Sequence, residues 1–165
     1  MATAGQTFEN PVTGERMVFH RTAHETNGSV LDIEFFVKAS TGKGLATHIH
    51  PYFAEQIEII EGSAHYRVGN DVLSTSTGDT FTLPQNVPHI HPWNTGNDVL
   101  RWRKITQLDR PDMQLLLASA SFFESLYALA QRGKVKKNGL PKNPLQTIVL
   151  LHGRLLAAPS LSAKR

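Results

Sequence analysis

Short β-strand patterns separated by turn residues fill the chain from about residue 15 to residue 107. Each is rich in β-branched or aromatic residues, and several alternate apolar with polar positions, as half-buried strands do. Helical periodicity is absent from this region, which favours an all-β sandwich or barrel. The predicted strands cover residues 15–22, 29–38, 54–61, 63–68, 71–76, 79–84 and 98–106.

The clearest turn between two of these strands is Val68-Gly69-Asn70-Asp71. A two-residue Gly-Asn connection can adopt the positive φ values of a tight hairpin turn. The sequence therefore predicts a β-hairpin at this point.

The pattern changes to helix after Leu108. Asp109 can cap a helix that has Pro111 in its first turn, and Asn143 followed by Pro144 predicts the start of a second helix. We therefore divide the chain into a β-barrel domain, residues 1–108, and a two-helix C-terminal extension, residues 109–165. The apolar stripes of the helices favour packing on the barrel or on a dimer partner, with a membrane surface as the open alternative.

The net charge of +3 is unevenly distributed along the chain. Residues 1–131 contain nine Lys/Arg and fourteen Asp/Glu, whereas residues 132–165 contain eight Lys/Arg and no acid. A basic tail can meet nucleic acid or anionic lipid. We expect it instead to fold back on the acidic body of its own chain or of a partner copy, so neither nucleic acid nor membrane is a predicted partner.

Several chemistries are excluded or unsupported. The chain has no cysteine, so any metal site must use histidine, carboxylate or backbone oxygen. No serine nucleophile elbow, phosphate-binding loop or dinucleotide fingerprint occurs, so acyl transfer, nucleotide hydrolysis and nicotinamide chemistry have no support. No leader-like or membrane-spanning stretch is found, and we expect a cytoplasmic protein.

The stretch from His48 to Glu55 combines two histidines with a carboxylate. His48 and His50 point to the same side of a strand because side chains alternate faces. Glu55 shares parity with Ile57 and Ile59 and so points to the apolar side, where an unpaired carboxylate is costly and a cation would offset the cost. From this stretch alone, a metal site and a histidine-bearing strand both stay open.

A second segment, residues 78–94, changes the interpretation. In the first segment the spacing is Gly42, five residues, His48-x-His50, four residues, Glu55, six residues and Gly62; in the second it is Gly78, five residues, Pro84 and then His89. Together the two segments resemble the two motifs of the cupin superfamily, over about residues 10–107.

Two positions depart from the second motif. Asn86 stands where the family usually has Gly, and Asn94 falls one place later than the family's Asn. These departures put in doubt the turn before His89 and the position of its strand, but leave the ligand position intact.

The resemblance implies a small jelly-roll barrel with one metal ion held by His48, His50, Glu55 and His89. His91 is the rival fourth ligand, and its alternatives are a group that contacts the substrate or a surface histidine between two prolines. The donor set suits a divalent iron, manganese, nickel, cobalt, copper or zinc ion, and the identity stays open.

The resemblance also implies a metal-dependent enzyme that acts on a small organic molecule, with dioxygenase-like chemistry as the leading expectation. Four protein ligands leave two positions of an octahedral ion for substrate and oxygen. A metal-dependent isomerase, lyase or cyclase and a non-catalytic small-molecule or metal-binding module stay open. No residue is assigned as catalytic, although Glu55 and His91 are candidates for moving a proton.

Aromatic residues near the predicted ligands are candidates for a substrate pocket, with core packing as the alternative. Trp102 shares a strand face with Leu100, while Arg101 and Arg103 face the other way. We expect a homodimer, because exposed edge strands of small barrels often pair. The pocket candidates are Tyr52, Phe53, His91, Trp93 and Trp102.

Overall fold

The computed structural model describes residues 2–10, 14–39 and 47–117 of the chain. Within these ranges the chain forms nine β-strands and one short helix, α1, at residues 113–117. The strands are β1 (Thr7–Glu9), β2 (Arg16–Arg21), β3 (Val30–Val37), β4 (Glu55–Glu61), β5 (Ser63–Val68), β6 (Asp71–Ser76), β7 (Thr80–Leu83), β8 (His89–Asn94) and β9 (Leu100–Gln107).

Two antiparallel sheets make up the described fold. The larger has the strand order β1-β2-β3-β9-β4-β7 and the smaller has the order β6-β5-β8. This arrangement confirms the predicted all-β jelly-roll barrel. The seven predicted strands are all present, whereas β1 and β8 were not among the predicted segments.

Strand β8 is not predicted from strand propensity, because Pro92 lies inside it and Pro88 directly precedes it. Proline has no N–H to donate to a ladder and is found at edges or irregularities of sheets. The pairing of β8 with β5 shifts in register between His65 and Arg67, where His91 and Pro92 of β8 face Tyr66 alone, so Pro92 lies within this irregularity. The strand therefore forms in spite of its composition.

The barrel interior is filled by alternate residues of the larger sheet. The rings of Phe35 and Trp102 stack there with centroids 4.2 Å apart. The predicted alternation of β9 is confirmed, because Leu100 and Trp102 are fully buried while Arg101 and Arg103 lie on the outer face. The most buried apolar residues of this core are Leu31, Ile33, Phe35, Ile57, Ile59, Leu83, Leu100 and Trp102.

The predicted hairpin between β5 and β6 is confirmed. Val68 pairs with Asp71, and Gly69 between them has a φ of +59°. Glycine adopts this conformation without steric cost. The hairpin brings β6 to the edge of the smaller sheet, where Val72 and Leu73 are exposed. The predicted homodimer stays a prediction.

The segment after β9 returns to the barrel at Gly28. The amide of Asp112 donates to the carbonyl of Gly28 at 3.0 Å, and Leu116 of α1 is fully buried. A Cβ on Gly28 would lie 2.5 Å from the amide nitrogen of Met113, so this close approach requires glycine. The remainder of the predicted two-helix extension and its basic tail lie outside the described residues, and the domain division at residue 108 stays a prediction.

Among the residues that the structure describes, none belongs to a helix with the length and apolar character needed to cross a membrane.

Candidate metal centre

Five side chains meet inside the barrel. Each offers one ligand atom, and these atoms all lie within 4.8 Å of one another. The structure thus brings together the four predicted ligands and their predicted rival. The five residues, which we call the donor cluster, are His48, His50, Glu55, His89 and His91.

Backbone pairing sets the positions of the four histidines. His48 and His89 exchange both of their backbone hydrogen bonds at 3.0 Å, so their side chains start from directly opposite positions. His50 and His91 each follow two residues later and so point to the same side as these partners. Glu55, the first residue of β4, faces them from the larger sheet.

Asn86 performs the backbone role of the glycine that it replaces in the second motif. Its φ is +60°, a conformation that asparagine tolerates better than most residues, and its amide donates to the carbonyl of His50 at 3.0 Å. The turn before His89 is therefore intact. The side-chain amide of Asn94, the other departure, donates to the carbonyls of Val37 and Asp98 at the far end of β8.

The distances between donor atoms fit a single ion. His50 Nε2 lies 3.3 Å from Glu55 Oε1, His89 Nε2 lies 3.6 Å from Glu55 Oε2, and His48 Nε2 lies 3.3 Å from His91 Nε2. Two ligands about 2.1 Å from one ion are about 3.0 Å apart at a right angle and about 3.4 Å apart at the tetrahedral angle. His91 Nε2 and Glu55 Oε2 are closer, at 2.6 Å, which is a hydrogen-bond distance.

Two histidines have buried nitrogens that need a partner. His89 donates from Nδ1 to the carbonyl of Val87 at 2.8 Å, which leaves the lone pair of Nε2 directed elsewhere. Within the described ranges, His89 Nε2 and both ring nitrogens of His50 have no hydrogen-bond partner. A metal ion would satisfy the lone pairs of such nitrogens, so the side chains fit the ion that the sequence predicts.

Charge in the cluster also suits a cation. Burial lowers the pKa of His50 to about 3, and burial lowers the pKa of His48 and His91 as well. These imidazoles are therefore neutral near pH 7, as metal ligands must be. Burial opposes the charge of Glu55, but the neighbouring Lys104 holds the pKa of this carboxyl well below its usual range.

Lys104 is the neighbour that the sequence analysis did not single out. Its Nζ lies 2.8 Å from Glu55 Oε1, and the residue is only 1% exposed. The signal was present in the alternation of β9, because Lys104 has the same parity as Leu100 and Trp102. Lysine is almost never fully buried unless it is paired, so composition argued against this placement.

The predicted pocket residues divide into two groups. Phe53 stacks on His50 at 4.5 Å and the ring of Trp102 lies 5.4 Å from that of His91, so both adjoin the donor cluster. Tyr52 is half exposed. Trp93 contacts His65 instead, on the outer face of the smaller sheet, because the register shift between β5 and β8 turns it away from the side of His91.

Comparison with known families agrees with the fold and the cluster. The model of the family described as "Cupin domain" matches residues 35–106, which include the whole donor cluster and β9. This region of the chain is similar to a cupin domain.

Solved structures support the same fold. The cupin domain of Cnp3 from Schizosaccharomyces pombe is 13% identical with a TM-score of 0.50, over 58% of this chain and 65% of that domain, slightly less than two thirds. A predicted oxalate decarboxylase from Thermotoga maritima is 17% identical with a TM-score of 0.53, over 64% of this chain and 92% of that protein. No curated protein matches the sequence. At these identities the similarity concerns the cupin fold alone.

Proposed function

We propose that this cupin-like domain is a metal-dependent enzyme that acts on a small organic molecule, with dioxygenase-like chemistry. One observation carries the proposal: the buried imidazoles of His50 and His89, with nitrogens that have no hydrogen-bond partner, face the carboxylate of Glu55. A purely structural cluster would leave these nitrogens unpaired at a cost of about 1–3 kcal/mol each.

The side chains of the site have different proposed roles. His48, His50, His89 and Glu55 would hold one divalent transition metal, with the Glu55 carboxylate shared between the ion, Lys104 and His91. The ion would supply Lewis acidity and, if it is redox-active, electron transfer between substrate and oxygen. Phe53 and Trp102 limit access of water next to the cluster, and both are buried.

His91 decides between two reaction classes. The 2.6 Å distance favours a hydrogen bond from His91 Nε2–H to Glu55 Oε2. His91 would then not bind the ion, and four protein ligands would leave two positions of an octahedral ion for substrate and oxygen. If it is a fifth ligand, which its place within the 4.8 Å cluster also allows, one position is left. A single position favours the second candidate, a metal-dependent isomerase, lyase or cyclase that needs no oxygen.

The test measures oxygen consumption and product formation by iron-loaded protein with a panel of phenolic and keto-acid compounds, in air and under nitrogen. We expect oxygen-dependent turnover, retained in part by His91→Gln, which can still donate to Glu55. Turnover that is unchanged under nitrogen would favour the second candidate. Stabilisation of the protein by a compound that never yields product would contradict an enzymatic role and indicate a binding module.

A further inference from the structure

The interior of the barrel contains two formal charges among the described residues, and they cancel. The buried charged side chains are Asp32, Glu34, Glu55 and Lys104, and the first two lie on the outer face of β3. Inside, the carboxylate of Glu55 faces the ammonium of Lys104 at 2.8 Å, and the imidazoles that bind a metal do so in the neutral form.

A divalent cation in the donor cluster would therefore leave a net charge of about +2 in a buried site. Buried charge is costly unless it is paired, and Glu55 would be shared between the ion and Lys104. No other carboxylate among the described residues faces this interior. A negatively charged ligand bound at the ion would supply the compensating charge that the described residues do not.

A second donor, on the same strand as Lys104, lacks an acceptor among the described residues. Trp102 lies two residues before Lys104 on the same face of β9, and its ring lies 5.4 Å from that of His91. Trp102 is fully buried, and in the described part of the chain its Nε1 has no hydrogen-bond partner. A buried N–H without an acceptor costs about 1–3 kcal/mol, which an oxygen of a bound ligand would recover.

We propose that the metal-loaded site recognises a small organic carboxylate and that Lys104 is its specificity-determining residue. The ammonium of Lys104 pairs with the ligand's carboxylate, and the Trp102 N–H supplies a further donor for an oxygen of the same ligand. This inference rests on the proposed metal site. It narrows the substrate class from small organic molecules to organic acids.

The test uses protein loaded with Co²⁺ and titrated with glycolate and with glycolamide, its neutral counterpart, while binding is followed by calorimetry and by the visible spectrum of the ion. Wild type is compared with Lys104→Met and, as a matched control one residue away on the outer face, with Arg103→Met. Lys104→Gln, whose amide can still donate to Glu55, is the second variant in case the methionine variant does not fold.

We expect either Lys104 variant to bind glycolate roughly 10- to 100-fold more weakly than wild type, with little change for glycolamide, because only the carboxylate pairs with the ammonium. Arg103→Met should bind both compounds as wild type does. Equal weakening for both compounds, or none for glycolate, in protein that retains Co²⁺ would overturn this inference alone. Failure of wild type to take up Co²⁺ would overturn the inference and the proposed function together.

Discussion

Strand β3 carries two carboxylates on the outer face of the barrel wall, and β4 carries Glu55 on the inner face. The two sides are paired in different ways. On the outer face, Asp32 accepts from Arg103 Nε and Nη2 at 2.7 and 2.6 Å and from Arg21 Nε at 3.1 Å. We call the outer set the ion-pair row; its members are Asp32 and Glu34 with His20, Arg21, Arg101 and Arg103.

The row is satisfied by the protein itself. Both oxygens of Asp32 are paired, and so are both oxygens of Glu34, which contact Arg101 and His20 at 2.8 Å. Burial raises the pKa of Asp32, but hydrogen bonds and charge from Arg103 and Arg21 bring the net pKa below its ordinary value. Nothing in the row needs a ligand.

The donor cluster on the inner side is satisfied only in part. Glu55 has one ammonium partner, Lys104, and its other close neighbours are imidazoles. Burial lowers the pKa of His50 and His91 among them. Nitrogens of His50 and His89 stay unpaired within the described residues. The comparison shows that paired buried charge alone does not identify a site; unsatisfied donors and acceptors around it do.

The largest expected effect comes from substitution of Glu55 in the donor cluster. Glu55→Gln removes the only carboxylate of the cluster and its ion pair with Lys104. We therefore expect metal affinity to fall roughly 100-fold or more and metal-free protein to lose about 3–5 kcal/mol. Calorimetric titration with metal and chemical denaturation measure the two losses. Arg101→Gln in the outer row is the control, and an equal loss of metal affinity in that variant would contradict the distinction.

The second effect is the dependence of metal-free stability on pH. Because burial lowers the pKa of His50 from 6.5 to about 3, the unfolded chain binds more protons than the folded chain between these values. Stability should therefore fall as pH drops below about 6.5, by up to about 1.4 kcal/mol per pH unit for each such histidine.

This slope can be assigned by substitution. His50→Asn should reduce it in denaturation experiments with chelator between about pH 6.5 and pH 4.5, above the range in which the outer carboxylates contribute. Exposed His24→Asn is the matched variant for loss of a histidine. A slope that is the same in both variants would contradict the burial of a neutral His50.

A smaller change in metal affinity, this time an increase, is expected on substitution of Lys104. Lys104→Met removes a positive charge next to Glu55 and frees Glu55 Oε1, so metal affinity should rise roughly tenfold, which corresponds to about 1.4 kcal/mol. Arg103→Met removes the same charge from the outer face of the strand and should leave metal affinity unchanged. Weaker metal binding in the Lys104 variant would show that this lysine supports the ligand geometry instead of opposing the ion.

The smallest effect is expected in the outer row. Asp32→Asn should cost about 1 kcal/mol: Asp32 is buried, but its partners Arg21 and Arg103 are partly exposed, so water can solvate their charges once the carboxylate is gone. Metal stoichiometry should not change. Chemical denaturation measures the stability of the variant, and elemental analysis measures its metal content. A drop in metal content would mean that metal binding in the donor cluster depends on the ion-pair row.

Much of the site follows from alternation along the chain. The parity of Glu55 with Ile57 and Ile59 places its carboxylate inside, and the two-residue spacings place His50 beside His48 and His91 beside His89. These inferences need only local geometry.

The remaining features depend on contacts between distant segments. The ring of Trp93 contacts His65, because the register shift in the pairing of β8 with β5 lies at His91 and Pro92. Its predicted role in a substrate pocket stays a prediction. Lys104 was overlooked because its burial depends on Glu55, 49 residues earlier in the chain. A pairing of this kind becomes visible only when the strands are assembled.

The most direct test of the account is the metal content of purified protein after incubation with Mn²⁺, Fe²⁺, Co²⁺, Ni²⁺ or Zn²⁺ and gel filtration at neutral pH. We predict about one ion per wild-type chain for at least one of these metals, and loss of that ion in His48→Ala/His89→Ala protein that remains folded. Wild-type protein that retains none of the five metals, or a double variant that retains as much as wild type, would contradict the assignment of the donor cluster as a metal centre.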